Sequence, residues 1–172
     1  LKAMIAFPNI YFSKEDIPAL VLLIKNLKYS DKGYFDIKVN AIRELGYITG
    51  KGAEGPVAKS LKDIYENAAD TAIFQNAVIR ALAKNKTKES YDLLKELIIA
   101  DPPLFENSYD YSSFFADIDD SLLLAKKLFP AMLHLLSIDD YKDEVMSLLV
   151  ALVDSNLLAA KDYKDFYTSI YF

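Results

Sequence analysis

The chain has 172 residues, of which 52% are apolar and 26% charged, which is the composition of one soluble globular domain with a sizeable core. Its net charge of −5 and pI near 4.9 disfavour nucleic acid as a partner, because binding to phosphate backbones depends on a surplus of Lys and Arg. The absence of cysteine excludes disulfides, thiolate catalysis and Cys-ligated metals, but it leaves the localisation open.

Helical periodicity dominates the first hundred residues. Ser13 and Asp16 have the spacing of a capping box with Asp in place of Glu, and a helix is predicted from about residue 15 to 28. The longest apolar run, residues 17–24, is far shorter than the roughly 20 residues of a membrane helix, so no membrane insertion is predicted. Pro56 is predicted to open a helix after a glycine-rich loop. The following apolar stripes each have helical spacing: Ile37, Ala41, Leu45 and Ile48; Val57, Leu61, Ile64, Tyr65 and Ala68; Phe74, Ala77, Val78, Ala81 and Leu82; Tyr91, Leu94, Leu97 and Ile98.

The pattern changes after residue 100. Pro102 and Pro103 end the regular helix, and residues 101–118 are predicted to be an irregular insertion. A long stripe then returns, in which Pro130 should produce a kink or a break. Its members are Leu122, Ala125, Phe129, Met132, Leu133 and Leu136.

Two further helices are predicted, one after Asp139 and one at the end of the chain. The apolar side of the last helix, which carries Phe166 and Tyr167, either packs back on the preceding helices or faces a later part of a longer protein. Because residue 1 is Leu rather than an initiator Met, the chain is expected to be a fragment of such a protein.

Two segments of the sequence recur. Residues 42–46 (IRELG) resemble residues 79–83 (IRALA), and residues 60–65 (SLKDIY) resemble residues 93–98 (LLKELI). The first pair is offset by 37 positions and the second by 33, a period typical of stacked helical hairpins. Such a hairpin cannot bury both its faces alone, so stacking is what should supply the core.

These repeats resemble the HEAT family of helical repeats. Residues 37–48 followed by residues 56–61 look like the two helices of one repeat, and residues 74–83 followed by residues 91–98 look like a second copy. The resemblance covers most of residues 13–154 and implies an all-α fold, an α-α superhelix over a single domain (residues 1–172).

The sequence departs from the HEAT pattern in two places. Asn85 and Lys86 replace the apolar and Gly positions that end the first helix of a repeat, and residues 101–118 have no counterpart in the family. Both departures affect the repeat register after residue 100.

In a HEAT-like stack the inner helices line a concave face. The residues opposite their buried stripes are Lys59, Lys62, Asp63 and Glu66 in one repeat and Asp92, Lys95, Glu96 and Ile99 in the next. This surface mixes both signs of charge. It is interpreted either as a groove for a protein or peptide partner, or as a solvated face with pairs such as Lys59 and Asp63.

The predicted insertion contains the richest aromatic cluster of the chain. Its rings are Phe105, Tyr109, Tyr111, Phe114 and Phe115, interleaved with acids. Tyr109 and Tyr111 are candidate anchors for a partner. Alternatively, the rings cover the joint between repeats, because a long loop in a compact domain buries its own side chains.

Candidate catalytic and ligand-binding groups are few. The single His134 has no second His or Cys to form a metal site. The acids at residues 117–120 and 139–144 could act as acid and base or bind a divalent cation, but acids at helix starts are expected in any case. The loop with Gly50, Gly52 and Gly55 lacks the Lys-Ser/Thr pair of a phosphate loop. Arg43 and Arg80, the only arginines, are expected on the outer side, where either a shared anion contact or ordinary ion pairs would explain them.

The sequence therefore predicts a non-catalytic interaction or scaffolding module with no cofactor. Its expected partners are a protein or peptide, or other domains of a longer parent chain. The alternative is an enzyme on a helical-repeat platform, such as a HEAT-like DNA glycosylase, for which the resemblance implies a basic concave face with aromatic residues and an acid. A continuous positive groove with those groups would distinguish the enzyme from the interaction module.

Overall fold

All regular structure in the described part of the chain is helical. The computed structural model describes residues 11–68, 72–103, 105 and 108–171, and these residues contain no strand. The all-α prediction is confirmed, whereas the superhelix stays a prediction. The helices are α1 (Ile17–Asn26), α2 (Tyr34–Tyr47), α3 (Glu54–Glu66), α4 (Ala72–Asn85), α5 (Lys88–Ala100), α6 (Ser108–Asp119), α7 (Leu122–Ala125), α8 (Phe129–Leu135), α9 (Lys142–Asp154) and α10 (Ala160–Tyr171). Short 3₁₀ turns span Lys14–Asp16, Lys126–Leu128 and Asp139–Tyr141. None of the described helices has the length and apolarity that crossing a membrane requires.

The helices form two compact units, Leu1–Ser90 and Tyr91–Phe172, and the division falls inside α5. Each unit is described here by itself. The prediction of a single domain over the whole chain stays a prediction.

The first unit begins with the predicted capping box. The backbone N–H and the hydroxyl of Ser13 both donate to one carboxylate oxygen of Asp16, each at 2.8 Å. The backbone hydrogen bond, helped by the hydroxyl, lowers the pKa of Asp16 below its ordinary value. Pro18 follows in the first turn of α1, where a helix leaves its N–H groups without an intrahelical partner in any case.

The core of the first unit is built mainly from α2 and α4, which pack against each other. These helices carry the repeated segment, and Ile42, Leu45, Ile79 and Leu82 are all completely or almost completely buried. Each such side chain contributes about 1.5–3 kcal/mol by leaving water. The two similar segments of residues 42–46 and 79–83 therefore lie on two helices that cover each other's apolar faces.

Gly46 allows the closest approach between these two helices. A Cβ atom at Gly46 would lie 2.7 Å from the Ala81 carbonyl oxygen and 2.8 Å from the Ala81 Cα. Both distances are shorter than any ordinary contact, and the atoms that would be hit belong to the backbone. The glycine of the first copy thus fits against the alanine of the second.

A buried polar network closes the end of this helix pair. Asn85, the last residue of α4, is completely buried, and its amide nitrogen donates to the carbonyls of Gly46 at 3.2 Å and Ile48 at 2.9 Å. Its amide oxygen accepts from the hydroxyls of Thr87 at 2.8 Å and Ser90 at 2.7 Å. The network satisfies carbonyls that the end of α2 leaves without an intrahelical partner.

Asn85 and Lys86, which form the first departure from the HEAT pattern, therefore have a structural role. Lys86 has a φ of 52°, the left-handed conformation that often follows the end of a helix and favours Gly. Asn85 supplies four hydrogen bonds in place of an apolar contact. The Thr87 hydroxyl also accepts from the Ser90 N–H at 3.2 Å, as expected for the residue before a helix.

The second unit corrects the prediction of an irregular insertion. Most of residues 101–118 lie in α6, which packs against α7 and α9. Phe105, Phe114 and Phe115 are buried, and the centroids of neighbouring rings are 5.4 and 5.1 Å apart. The fully buried ring of Tyr141 lies 6.4 Å from Phe115. The prolines at residues 102 and 103 end α5, as expected, but a helix follows that buries Phe114 and Phe115.

Pro130 breaks the long stripe as predicted, since α7, a 3₁₀ turn and α8 follow one another and Pro130 lies in the first turn of α8. The buried set differs from the predicted one, because Leu128, Ala131 and Leu135 are buried while Leu136 is half-buried. The tighter turn changes the phase of the apolar face. At the end of the chain, α10 packs back on α8 and buries Phe166.

Candidate interaction surface

The predicted site residues of α3 lie on its solvent side. Lys59, Lys62 and Glu66 are exposed and Asp63 is half-buried, while the opposite side of the helix faces the core. Asp63 pairs with Lys25 of α1 at 3.8 Å, and not with Lys59 as the helical spacing had predicted. The pair is half-exposed on both sides, so it contributes at most about 1 kcal/mol.

The predicted site residues of α5 are less uniform. Glu96 and Ile99 are exposed, whereas Asp92 and Lys95 are half-buried. Asp92 already forms an ion pair with Lys127 at 2.6 Å, so a partner would have to compete for its carboxylate. These residues belong to the second unit and those of α3 to the first, and the common groove that would join them stays a prediction.

The aromatic candidates of the predicted insertion separate into two groups. Phe105, Phe114 and Phe115 are core residues, which agrees with the alternative that these rings bury themselves. The backbone of Tyr109 and Tyr111 lies in α6. Their side chains fall outside the part of the chain that the structure describes, so their role as anchors stays a prediction.

A different aromatic cluster is exposed at the start of α2. It consists of Tyr29, Tyr34 and Phe35 and is called the aromatic patch below. Tyr29 is 79% exposed and Phe35 is 40% exposed. The three ring centroids lie 5.1–5.8 Å from each other in edge-to-face arrangements, the geometry that the charge distribution of aromatic rings favours.

The aromatic patch is anchored to the core of the first unit. The ring of Phe35 stacks on the buried ring of Phe74, with centroids 5.7 Å apart and an angle of 22° between the planes. The ammonium group of Lys38 lies 4.3 Å from the centroid of Phe74 and 5.2 Å from that of Tyr34, and it donates to the Tyr34 hydroxyl at 3.2 Å. These contacts fix the rings in place while leaving Tyr29 and Phe35 accessible.

Two consecutive tight turns bring Tyr29 to this position. Asp31 N–H donates to the Lys28 carbonyl at 2.8 Å, and Tyr34 N–H donates to the Asp31 carbonyl at 3.1 Å. The Lys28 N–H also donates to the Asp31 carboxylate at 3.1 Å. Gly33 precedes α2 with a φ of 72°, which residues with a side chain seldom adopt.

Sequence reasoning missed the aromatic patch because Tyr29 lies in a turn, where helical periodicity assigns no face. The available signal was a group of three aromatic residues among Lys, Asp, Ser and Gly, residue types that are common in turns. In such a segment no apolar helix face accounts for large rings.

The candidate catalytic groups do not assemble into a site in the described residues. His134 is exposed. No group of three or more His, Asp or Glu side chains within the described ranges could hold a metal ion. Asp143 and Glu144 lie in the first turn of α9, as expected for acids at a helix start.

The prediction that the other acids also begin a helix is wrong in part. Asp117 and Asp119 lie at the C-terminal end of α6, where the helix dipole does not favour a negative charge. Together with burial, which is the main cause, Asp117 and Asp120 raise the pKa of the completely buried Tyr91 far above its ordinary value.

The remaining candidates have ordinary surroundings. Arg43 is exposed and lies 3.8 Å from Glu44, the ordinary ion pair that was one of the two expectations for it, and Arg80 is half-buried rather than fully outward. Burial raises the pKa of Glu44, and Arg43 opposes that effect.

In the glycine-rich loop, the Gly52 N–H donates to the Glu54 carboxylate at 2.7 Å, so an anion would have to displace this carboxylate. The helix starts at Glu54, two residues before the predicted Pro56.

Charge is distributed very unevenly between the two units. Residues 1–90 contain 14 Lys and Arg against 10 Asp and Glu, and residues 91–172 contain 6 against 15. The first unit therefore has a net charge of +4 and the second a net charge of −9. The overall charge of −5 describes neither unit.

Comparisons of the chain with known protein families, curated proteins and solved structures found no match.

Proposed function

We propose that this protein is a non-catalytic interaction module built from HEAT-like helical repeats, which binds a protein or peptide and needs no cofactor. Two observations support the repeat architecture. One pair of recurring segments, residues 42–46 and 79–83, lies on α2 and α4, which pack against each other, and Gly46 of the first copy fits against Ala81 of the second.

The observation that carries the proposed function is the exposed aromatic patch. Aromatic side chains dominate the energetics of protein interfaces, and a ring such as Tyr29, held at 79% exposure by neighbouring rings, loses little conformational freedom on binding. The predicted surfaces of α3 and α5 and the predicted anchors Tyr109 and Tyr111 remain candidate parts of the interface.

Affinity capture with immobilised protein tests the proposal. Wild-type protein should retain a specific partner, and loss of that partner in one variant would locate the interface: Tyr29→Ala for the aromatic patch, Lys62→Glu with Lys95→Glu for the helix surfaces, or Tyr109→Ala with Tyr111→Ala for α6. Thermal unfolding should be similar for all of them, which excludes loss of structure as the cause.

The opposite result is equally well defined. If no partner is retained and the protein instead excises bases from a panel of damaged DNA duplexes, the interaction module is refuted in favour of the HEAT-like glycosylase.

A further inference from the structure

We infer that the aromatic patch, together with Lys28 and Lys32, binds a short acidic peptide segment that carries a large apolar side chain as its anchor. The inference rests on the proposed function and adds the chemistry of the partner.

The rings provide the place for the apolar anchor. Tyr29 and Phe35 are the exposed members of a cluster whose base is the buried Phe74. An aromatic or aliphatic side chain that packs between Tyr29 and Phe35 would bury apolar area on rings that are already ordered. Because the rings are already ordered, they lose little conformational entropy on binding.

The charges next to the rings are predominantly positive. Lys28 directly precedes Tyr29 in the first of the two tight turns, and Lys32 lies in the second turn, which leads to Tyr34. Both lysines are exposed, and neither forms an ion pair with another residue of the described part of the chain. The Asp31 carboxylate between them accepts the Lys28 N–H.

The surrounding unit has the same sign. Its net charge of +4 favours the approach of a negatively charged segment. Residues 28–38 carry three lysines against the two acids Asp31 and Asp36, a local net charge of +1. Carboxylates of the partner would pair with the two lysines while its apolar side chain contacts the rings. Electrostatic complementarity of this kind selects the partner and accelerates association.

The accessible ring surfaces favour a peptide over single-stranded nucleic acid. Bases bind proteins by stacking on exposed flat ring faces. One face of Phe35 is stacked on Phe74, and the ammonium group of Lys38 lies over the ring of Tyr34. The edge-to-face contacts of Tyr29 use further ring surface, so a flexible side chain fits better than successive bases.

Fluorescence anisotropy with defined probes tests the inference. The first probe is a labelled peptide of about 10 residues, long enough when extended to cross the patch, which alternates Glu or Asp with Phe and Leu. The matched probe has Lys in place of every acid. We expect saturable binding of the acidic peptide only, with an affinity that falls as NaCl is raised.

Matched variants locate the site. Tyr29→Ala should weaken binding of the acidic peptide about tenfold, and Lys28→Glu with Lys32→Glu should weaken it about as much and remove most of the salt dependence. Two controls should stay within about twofold of wild type. Tyr47→Ala removes a tyrosine that is 52% exposed at the other end of α2, about 20 Å away. Lys51→Glu reverses an exposed lysine of the glycine-rich loop.

Failure of the acidic peptide to bind would overturn the inference, and so would four other results. The first two are equal binding of the acidic and the basic peptide, and an equal loss of binding in the control variants. The third is tighter binding of an oligouridine probe that Tyr29→Ala abolishes, which would make the aromatic patch a nucleic-acid site. The fourth is an increase in mass with protein concentration, measured by light scattering and abolished by Tyr29→Ala, which would make a second copy of the chain the occupant. If the acidic peptide fails to bind while affinity capture still retains a partner, only the inference about its chemistry falls.

Discussion

Replacing Asn85 should destabilise the first unit more than any other single polar substitution in it. The side chain is completely buried at the end of α4 and joins it to the end of α2. Asn85→Ala removes both donors of the amide and its acceptor while leaving the backbone conformation accessible. The variant therefore isolates the contribution of the side chain.

The magnitude follows from which groups would lose their partners. The carbonyls of Gly46 and Ile48 each lose a donor, at about 1–3 kcal/mol for each buried group left unsatisfied. The hydroxyls of Thr87 and Ser90 lie 2.9 Å apart and can still bond to each other, so they add little. We expect a loss of about 2–6 kcal/mol in the free energy of unfolding, a large part of the 5–15 kcal/mol typical of a domain.

Urea unfolding measured by circular dichroism at 222 nm and by tyrosine fluorescence provides the assay. Asn67→Ala is the matched control, because the Asn67 amide donates to the Asp63 carbonyl at 2.6 Å but is exposed, and it should change stability by less than about 0.5 kcal/mol. Asn85→Asp keeps the shape of the side chain but places an oxygen against the two carbonyls, so it should cost at least as much as alanine. If Asn85→Ala loses no more than the control, or if the aspartate is tolerated, the hydrogen bonds do not stabilise the fold.

Three further predictions concern packing, pH and an ion pair. Gly46→Ala should lower the free energy of unfolding by about 1–3 kcal/mol, because the added Cβ would overlap backbone atoms. The control is Gly55→Ala, whose Cβ would meet nothing within 4 Å. It should be neutral or stabilising by up to about 1 kcal/mol in the same urea titration. The pKa of Tyr91 is raised in the folded state, so its stabilising effect is present below the unfolded-state pKa of about 10 and is lost as the pH rises further. Tyr91→Phe should therefore weaken the decline in stability that thermal unfolding measures above pH 10. An unchanged decline would contradict this assignment. Lys127→Ala should cost about 1 kcal/mol or less and only at low salt, since its ion pair is partly exposed, while Lys126→Ala, an exposed neighbour, should have no salt-dependent effect.

The helices and most of their buried faces could be predicted because those properties depend on residues close in sequence. Stripes such as Val57, Leu61 and Ile64 repeat at helical spacing, and all three are buried. The capping box at Ser13 is likewise local. The pairing of α2 with α4 could be anticipated because one sequence pattern, repeated after 37 residues, specifies two similar surfaces.

The features that could not be predicted depend on distant residues or on helix phase. The hydrogen bonds of Asn85 reach carbonyls 37 and 39 residues earlier in the chain, so the residue looked like a defect in a repeat. A 3₁₀ turn of three residues, Lys126–Leu128, rotates the chain by about 60° more than three α-helical residues do. That rotation explains why Leu135 rather than Leu136 is buried in α8.

The charge of the chain shows how an average can mislead a functional argument. A net charge of −5 predicts no general affinity for polyanions, but it is the sum of a positive first unit and a strongly negative second one. Beyond about 8–10 Å, physiological salt screens exposed charges, so a partner at the aromatic patch responds mainly to the charges that flank the rings, which include Lys28 and Lys32. The sign that matters for recognition is therefore the local one, and at the aromatic patch it favours an acidic partner.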